Sequence, residues 1–381
     1  MKFKTTELKF SPIKDIQAKA QKQGAVSLAQ GIPYFFIPHG IHQAAIEAIS
    51  GGKADFYGLP AGILELRKRI SERHLNEEGI FYDPENEILV TAGALQGLAA
   101  VLLALLSPGD ELIIPTPTYF PFLNLPKVMG IKPVFVPLVG SEWKISPNNL
   151  RSSISPKTKA ILLCHPNNPT GTVFSQQELA AIVEIARKHD LLLIVDEVYR
   201  YFVYGAPYTS PGEFHKDKLR IIRLMSFSKA YSLSGWRVGY ILADHLLSQE
   251  ILKVHEMTAT ASASLPAQYA ALSALTYFPD LPHDFANILS SRRERMRKRL
   301  EKLSDFFELS EPKGAYYFFV RLKSSMDDKV FAKVLLEKAG VAVIPGSTFG
   351  LGGEGYFRLS FAAKENEIEE AFDLMEEYLC R

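Results

Sequence analysis

The chain predicts an α/β fold built on a mainly parallel sheet, and three observations carry that expectation. Between about residues 87 and 242, short apolar runs rich in β-branched residues alternate with longer helical patterns: "EILVT", "ELIIP", "KPVFVP", "KAILLC", "LLLIVDE" and "IIRLM". Most of these runs are too apolar for a half-exposed sheet, so they read as buried strands with helices on both faces. The 381 residues, 47% hydrophobic and 22% charged, suffice for about two to three ordinary domains, or one large domain with a smaller partner.

Each element then has its local reason. "VTAGALQGLAAVLLALL" gives a strand, a tight turn at Gly93 and a very apolar helix whose first N–H groups lack partners within the helix. In "PTPTYF", Tyr119 follows a strand end, and in "CHPNNPTG" the prolines and glycine force a turn after "KAILLC". "SQQELAAIVEIARKHD" opens with a capping-box pattern, Ser175 and Glu178, and places Leu179, Ile182, Val183 and Ala186 on one face. After residue 280, "PHDFANILSSRRERMRKRL" reads as a long polar helix, and a domain boundary is expected there. Its six basic residues from Arg292 to Arg299 read as a solvated face interrupted by Glu294 and Glu301. Helix and strand then alternate to the final "ENEIEEAFDLMEEYL", with no repeat or Gly/Ser linker, so the two parts are expected to pack closely.

Charge and cysteine usage narrow the function. Forty-three basic against forty-two acidic residues leave a formal +1, which gives no electrostatic case for nucleic acid or an anionic membrane and points to a small-molecule partner. Cys164 and Cys380 lie far apart and form no metal-ligand pair, so neither a metal site nor a disulfide framework is expected. "MKFKTTELKF" lacks the apolar segment of a secretory signal, and no run is long enough to cross a bilayer; a cytoplasmic location is expected. "GLGGEG" satisfies G-x-G-x-x-G, but the strand-like "YFRLSF" follows it where a dinucleotide site requires a helix.

The segment "SFSKAYSLSGWRVG" carries the chemistry. Lys229 follows the strand "IIRLM" and sits among Ser226, Ser228, Ser232, Ser234 and Gly235, where strand ends of α/β sheets present ligand sites. A lone lysine is ordinarily a solvated charge, whereas a desolvated one attacks carbonyls to form a Schiff base. Pyridoxal phosphate needs such a lysine, a carboxylate for its ring nitrogen, donors to its ring oxygen and a phosphate cradle. Asp196, at the end of a buried strand, suits the ring nitrogen, and equally a helix N-cap. Tyr199 and Asn168 suit the ring oxygen, or a buried backbone bond and an Asx-turn respectively. The Gly93 turn with the following helix N-terminus, Ser226 and the forked Arg237 suit phosphate. Tyr119 can stack on a planar ring or pack in the core.

Together these segments resemble the class I/II aminotransferases of pyridoxal-phosphate fold type I, over about residues 25 to 362. The likeness rests on "SFSKAYSLSGWRVG" with its arginine eight residues after the lysine, "NNPTG", "DEVYRYF" and "PTPTY", in that family's order. It implies that Lys229 bears the cofactor and moves the proton, that Asp196 pairs with the ring nitrogen, and that Tyr199 and Asn168 bond the ring oxygen. It places Ala94, Leu95, Ser226, Ser228 and Arg237 at the phosphate, and Gly31 and Arg358 at the substrate carboxylate. Tyr57, in "DFYGLPAG", is expected to reach the phosphate of a neighbouring subunit, which implies a homodimer with shared active sites. The implied fold is a three-layer α/β/α large domain over 41–284, with a smaller α+β domain formed by both chain ends, 1–40 and 285–381. The implied reaction is ping-pong transamination from an L-amino acid, aromatic, aspartate or similar, to a 2-oxo acid, 2-oxoglutarate. A β-elimination carbon–sulfur lyase is the alternative on the same fold, with a decarboxylating condensing enzyme behind it; a non-catalytic binding protein is a distant third, since Lys229 and Asp196 are both retained. After the N-terminal glycine the chain reads Ile32, Pro33, Tyr34, Phe35, where many relatives have an acidic residue before an aromatic one. Tyr34, Phe35 and Tyr119 tilt the expected donor toward large or aromatic side chains.

Overall fold

The structure is a computed structural model that describes residues 10–259 and 262–380. The stretch read for a secretory leader, all but its last residue, the start of the arm expected over 1–40, and Arg381 lie outside the described residues.

Seven apolar runs form one sheet: β1 (Ile88–Thr91), β2 (Glu111–Thr116), β3 (Lys132–Pro137), β4 (Thr158–Cys164), β5 (Leu192–Asp196), β6 (Ile221–Ser226) and β7 (Gly239–Leu242). Their order is β1-β7-β6-β5-β4-β2-β3. β6, β5, β4, β2 and β3 run parallel, and β7 is antiparallel to both its neighbours. Alternate residues of one strand enter different cores, as two-sided burial requires. Ala160, Leu162 and Cys164 of β4 join one apolar cluster, with Leu98 and Val101 of the helix Ala94–Leu105. Ile161 and Leu163 join another, with Leu179, Ile182 and Val183 of the helix Gln176–Lys188. That is a three-layer α/β/α arrangement, as the apolar runs imply.

The capping box forms as its residues predict: Glu178 N–H donates to Ser175 Oγ at 3.2 Å, and Ser175 N–H donates to Glu178 Oε2 at 2.9 Å. The basic run fits its solvated reading only in part, at Arg295 and Lys298, which are exposed. In the helix Leu281–Lys302, Arg292 is only 8% exposed, and its guanidinium lies 5.4 Å from the Phe35 ring centroid. Arg295 and Arg299 pair with Glu365, Glu369, Asp373 and Glu376 of the helix Glu365–Leu379. Acids distant in sequence hold these cations, and a local reading of the helix cannot see them.

A four-stranded antiparallel sheet follows, β8 (Phe307–Glu308), β9 (Tyr317–Leu322), β10 (Ile344–Pro345) and β11 (Tyr356–Ser360), in the order β10-β11-β9-β8. The strand β11 directly follows "GLGGEG". Val26–Ser27 pairs in parallel with Val341–Ala342, and Ser360 N–H donates to the Leu28 carbonyl. This stitching carries Gly31 across to the C-terminal ends of the parallel strands. Among the described residues no helix is long and apolar enough to cross a membrane.

Candidate active site

The parallel strands end at one cavity of about 660 Å³. Gly31, Ala94, Leu95, Tyr119, Asn168, Asp196, Tyr199, Ser226, Ser228, Lys229, Arg237 and Arg358 all line it. Tyr57 does not; it is 85% exposed, beside exposed Phe56 and Leu59. Neither Tyr34, 53% exposed, nor Phe35 lines the cavity. Phe35 stacks on Phe285 at 4.0 Å, so of the three aromatics read as favouring large donors only Tyr119 faces the ligand space.

β5 ends at Asp196, whose Oδ1 accepts from Val198 N–H at 3.1 Å. No helix starts there, so the bond closes a turn rather than the helix N-cap that the sequence leaves as one option, and among the described residues the carboxyl facing the cavity has no cation in contact. Burial pushes the Asp196 pKa up to about 7. Across the cavity, Lys229 lies in the short helix Phe227–Ala230 after β6 and donates from Nζ to the Gly31 carbonyl. Burial, reinforced by the charge of Arg358, lowers its pKa to about 8.

At the other end, the helix Ala94–Leu105 begins at Gly93 without a side-chain cap. Gly93 has φ of 88°, and a Cβ there would stand 2.6 Å from Arg237 Nη2, so glycine is required where the arginine crosses the helix start. Arg237 itself holds a left-handed φ of 55°, a conformation costing roughly 1 kcal/mol or more for a residue with a side chain. Its partners are the carbonyls of Ser234 and Ala92 and the hydroxyl of Ser228. Ser226 Oγ donates to Ser228 Oγ at 2.9 Å.

Arg358 projects from β11 and is 1% exposed. Its Nη1 donates to Asn168 Oδ1 at 2.8 Å, its Nη2 donates to the Ala29 carbonyl at 2.7 Å, and its Nε–H has no partner among the described residues. Among the described residues, neither Arg237 nor Arg358 has a carboxylate in ion-pair contact; Arg358 is not in the salt bridge that its strand position alone suggests. Asn168 spends its side chain on Arg358 and Tyr199 rather than on an Asx-turn.

Several lining residues carry no motif in the sequence reading. Tyr317 is the most involved: its hydroxyl lies 2.9 Å from that of Tyr199, and its ring centroid 4.2 Å from the Arg358 guanidinium carbon. The available signal is "GAYYFFV", two tyrosines entering an apolar strand, which by pattern alone reads as core. Ile13, Ile32, Phe120, Leu125 and Val128 line the remaining wall, with Lys14 and Asn124.

A parallel α/β sheet whose strand ends converge on a desolvated lysine, a buried carboxylate and two acid-free arginines defines a class of enzyme that handles an anionic carbonyl cofactor and a carboxylate substrate. The family model of aminotransferase class I and II matches residues 23–374, and the chain belongs to that family of pyridoxal-phosphate-dependent transaminases. It is 35% identical to aromatic-amino-acid aminotransferase 2 of Thermococcus litoralis over 94% of this chain and 92% of that one. It is equally 35% identical to the aspartate aminotransferase of Pyrococcus abyssi, over 94% and 93%. The crystal structure of an aromatic aminotransferase from Pyrococcus horikoshii OT3 superposes with a TM-score of 0.89, at 34% identity, over 96% of this chain and 98% of that one.

The cavity fits the family's cofactor on its own evidence. A cationless buried carboxylate, an uncapped helix start crossed by an acid-free arginine, and an orphaned guanidinium N–H each lack the partner that the cofactor or its substrate would bring.

Proposed function

We propose that this transaminase moves the amino group of an L-amino acid with a large, mainly apolar side chain to a 2-oxo acid, with 2-oxoglutarate as acceptor, by a ping-pong sequence. The observation that carries the reading is the gathering of Lys229, Asp196, Arg237 and Arg358, unpaired with one another's counter-ions, around one cavity. In this reading Ala94, Leu95, Ser226, Ser228 and Arg237 hold the cofactor phosphate, Asp196 its ring nitrogen, Tyr199 and Asn168 its ring oxygen, and Tyr119 its face. When bound, the cofactor supplies an electron-withdrawing ring that acidifies the substrate's α-C–H. Arg358 and Asn168 orient the substrate by its carboxylate beside Gly31, where a side chain would leave no room. Lys229 Nζ takes the α-proton and returns it; its lowered pKa keeps a useful fraction of free amine near neutral pH. One carboxylate site serves both half-reactions, so product leaves before the acceptor enters.

The donor preference rests on the outer wall. Ile13, Ile32, Phe120, Leu125 and Val128 favour an apolar side chain, and among the described residues Lys14 is the one lining cation not already given a role. Names among the relatives include both aromatic and aspartate enzymes at equal identity, so it is the apolar wall that supports the reading. Tyr57, with Phe56 and Leu59, is proposed to meet a second copy of the chain at its phosphate end, making a homodimer; the exposure of all three supports this.

The test is an absorbance scan of the holoenzyme while single amino acids are added without a 2-oxo acid. Conversion of the cofactor band with stoichiometric 2-oxo acid, fastest for phenylalanine, tyrosine or methionine, is expected. Fastest conversion by aspartate would overturn the donor assignment, and turnover to pyruvate and ammonia would give the site to the lyase reading.

A further inference from the structure

Tyr317 opens β9, is 1% exposed, and touches both functional halves of the cavity. In the strand register Arg358 stands opposite Phe319, which makes Tyr317 its diagonal neighbour on the same face. The guanidinium lies between two rings, 4.2 Å from the Tyr317 centroid and 4.8 Å from that of Phe349. The hydroxyl end is held in a tight space: a Cβ on Gly31 would stand 1.8 Å from Tyr317 Oη.

Hydrogen-bond accounting gives the hydroxyl a direction. Asn168 Oδ1 is taken by Arg358 Nη1, so its Nδ2 is the group that donates toward Tyr199 Oη, at 3.5 Å. Tyr199 has a single proton. Were that proton given to Tyr317, 2.9 Å away, none would remain for a ligand. With Tyr317 as donor, Tyr199 accepts from two sides and keeps its own O–H for an acceptor in the cavity. A bond received at Tyr199 Oη also polarises that O–H and strengthens it as a donor.

We propose that Tyr317 is a positioning residue of the transamination site: its hydroxyl turns the Tyr199 O–H into the cavity while its ring seats the Arg358 guanidinium. One side chain thereby sets both the group that meets the cofactor's ring oxygen and the group that meets the substrate's carboxylate. This inference rests on the site reading above.

The experiment compares the holoenzymes of the wild type, Tyr317→Phe, Tyr317→Leu and Arg358→Lys. Cofactor absorbance is titrated from about pH 5 to about pH 10, and affinity for 3-phenylpropanoate, an unreactive carboxylate, is measured by the same signal. Tyr317→Phe keeps the ring and loses the hydroxyl; it should move the titration midpoint upward by about half a unit or more and leave ligand affinity within about twofold. Tyr317→Leu should share that shift and weaken the ligand about five- to tenfold. A change in only one of the two readouts in Tyr317→Leu overturns the claim that one side chain sets both. Wild-type midpoint and affinity in both Tyr317 variants, with ligand lost in Arg358→Lys, would overturn the role of Tyr317 and leave the site reading standing. A wild type that binds no carboxylate, or binds it undiminished in Arg358→Lys, sinks the site reading and this inference with it.

Discussion

Asp196 and Glu197 are consecutive carboxylates at the end of one strand, both buried, and they titrate in opposite directions. Asp196 faces the cavity with one backbone donor, and burial raises its pKa to about 7. Glu197 faces away, and although burial alone would raise it, the charge and hydrogen bonds of Arg223 hold its pKa below the usual carboxylate value. Arg223 grips Glu197 in two-pronged fashion, at 2.5 Å and 2.8 Å, and reaches Glu78 at 2.7 Å and 3.0 Å. Arg200 pairs with Glu78, His74 Nδ1 lies 3.1 Å from it, and Tyr208 donates to Glu197 at 2.6 Å. Strand alternation sends one carboxylate to each side. Behind the strand every charge has partners and the chain is locked; in front, the charges are left for a ligand to complete. The contrast teaches that charge burial alone does not mark a site. Missing partners do.

The comparison can be broken or sharpened at three points. Lys229→Ala, in front, should lower turnover by about 10⁴-fold or more while leaving the melting temperature within about 3 °C of the wild type. Steady-state kinetics beside calorimetry would check it, and retained turnover would remove Lys229 from the chemistry. Glu197→Ala, behind, leaves Arg223 buried with half its partners and should cost roughly 3–5 kcal/mol of stability. Denaturant unfolding followed by tryptophan fluorescence measures this, and a loss below about 1 kcal/mol would mean that the network is solvated rather than locked. Asp196→Asn should act in the opposite sense on the cofactor-free protein. The folded state keeps a proton on Asp196 that the unfolded chain releases between about pH 4 and about pH 7, so the wild type loses stability as pH rises through that window. The asparagine variant carries no such loss; near pH 8 its apoprotein should melt higher by about 2 °C or more, with the difference vanishing near pH 4. Equal melting at both pH values would show that Asp196 is not penalised.

Much of this was legible in the sequence because it is local. Ser175 and Glu178 cap a helix three residues apart, and the apolar runs identify buried strands without reference to anything distant. Lys229 and Arg237, eight residues apart in one segment, could be read together for the same reason. Residues whose partners come from afar are less legible. Arg295 and Arg299 read as solvated from their own helix because their acids lie on the last helix, and Phe35 reads as a substrate neighbour although Phe285 and Arg292 claim it. Tyr317 is not legible in the sequence because a strand tyrosine has no signature until Tyr199 and Arg358, separated from it by 118 and 41 positions, stand around it.

The sequence by itself determined the elements and the chemical types: parallel strands from two-sided apolarity, turns from proline and glycine, and a lysine, a carboxylate and arginines in a recognisable order. Only the tertiary structure decided which of two adjacent buried carboxylates stays without a cation, which arginines lack acids, and which two tyrosine hydroxyls meet. Periodicity records what one segment needs buried, whereas a pKa, a free donor or a vacant partner depends on what other segments bring within about 4 Å, the range over which opposite charges act most strongly on a titrating group.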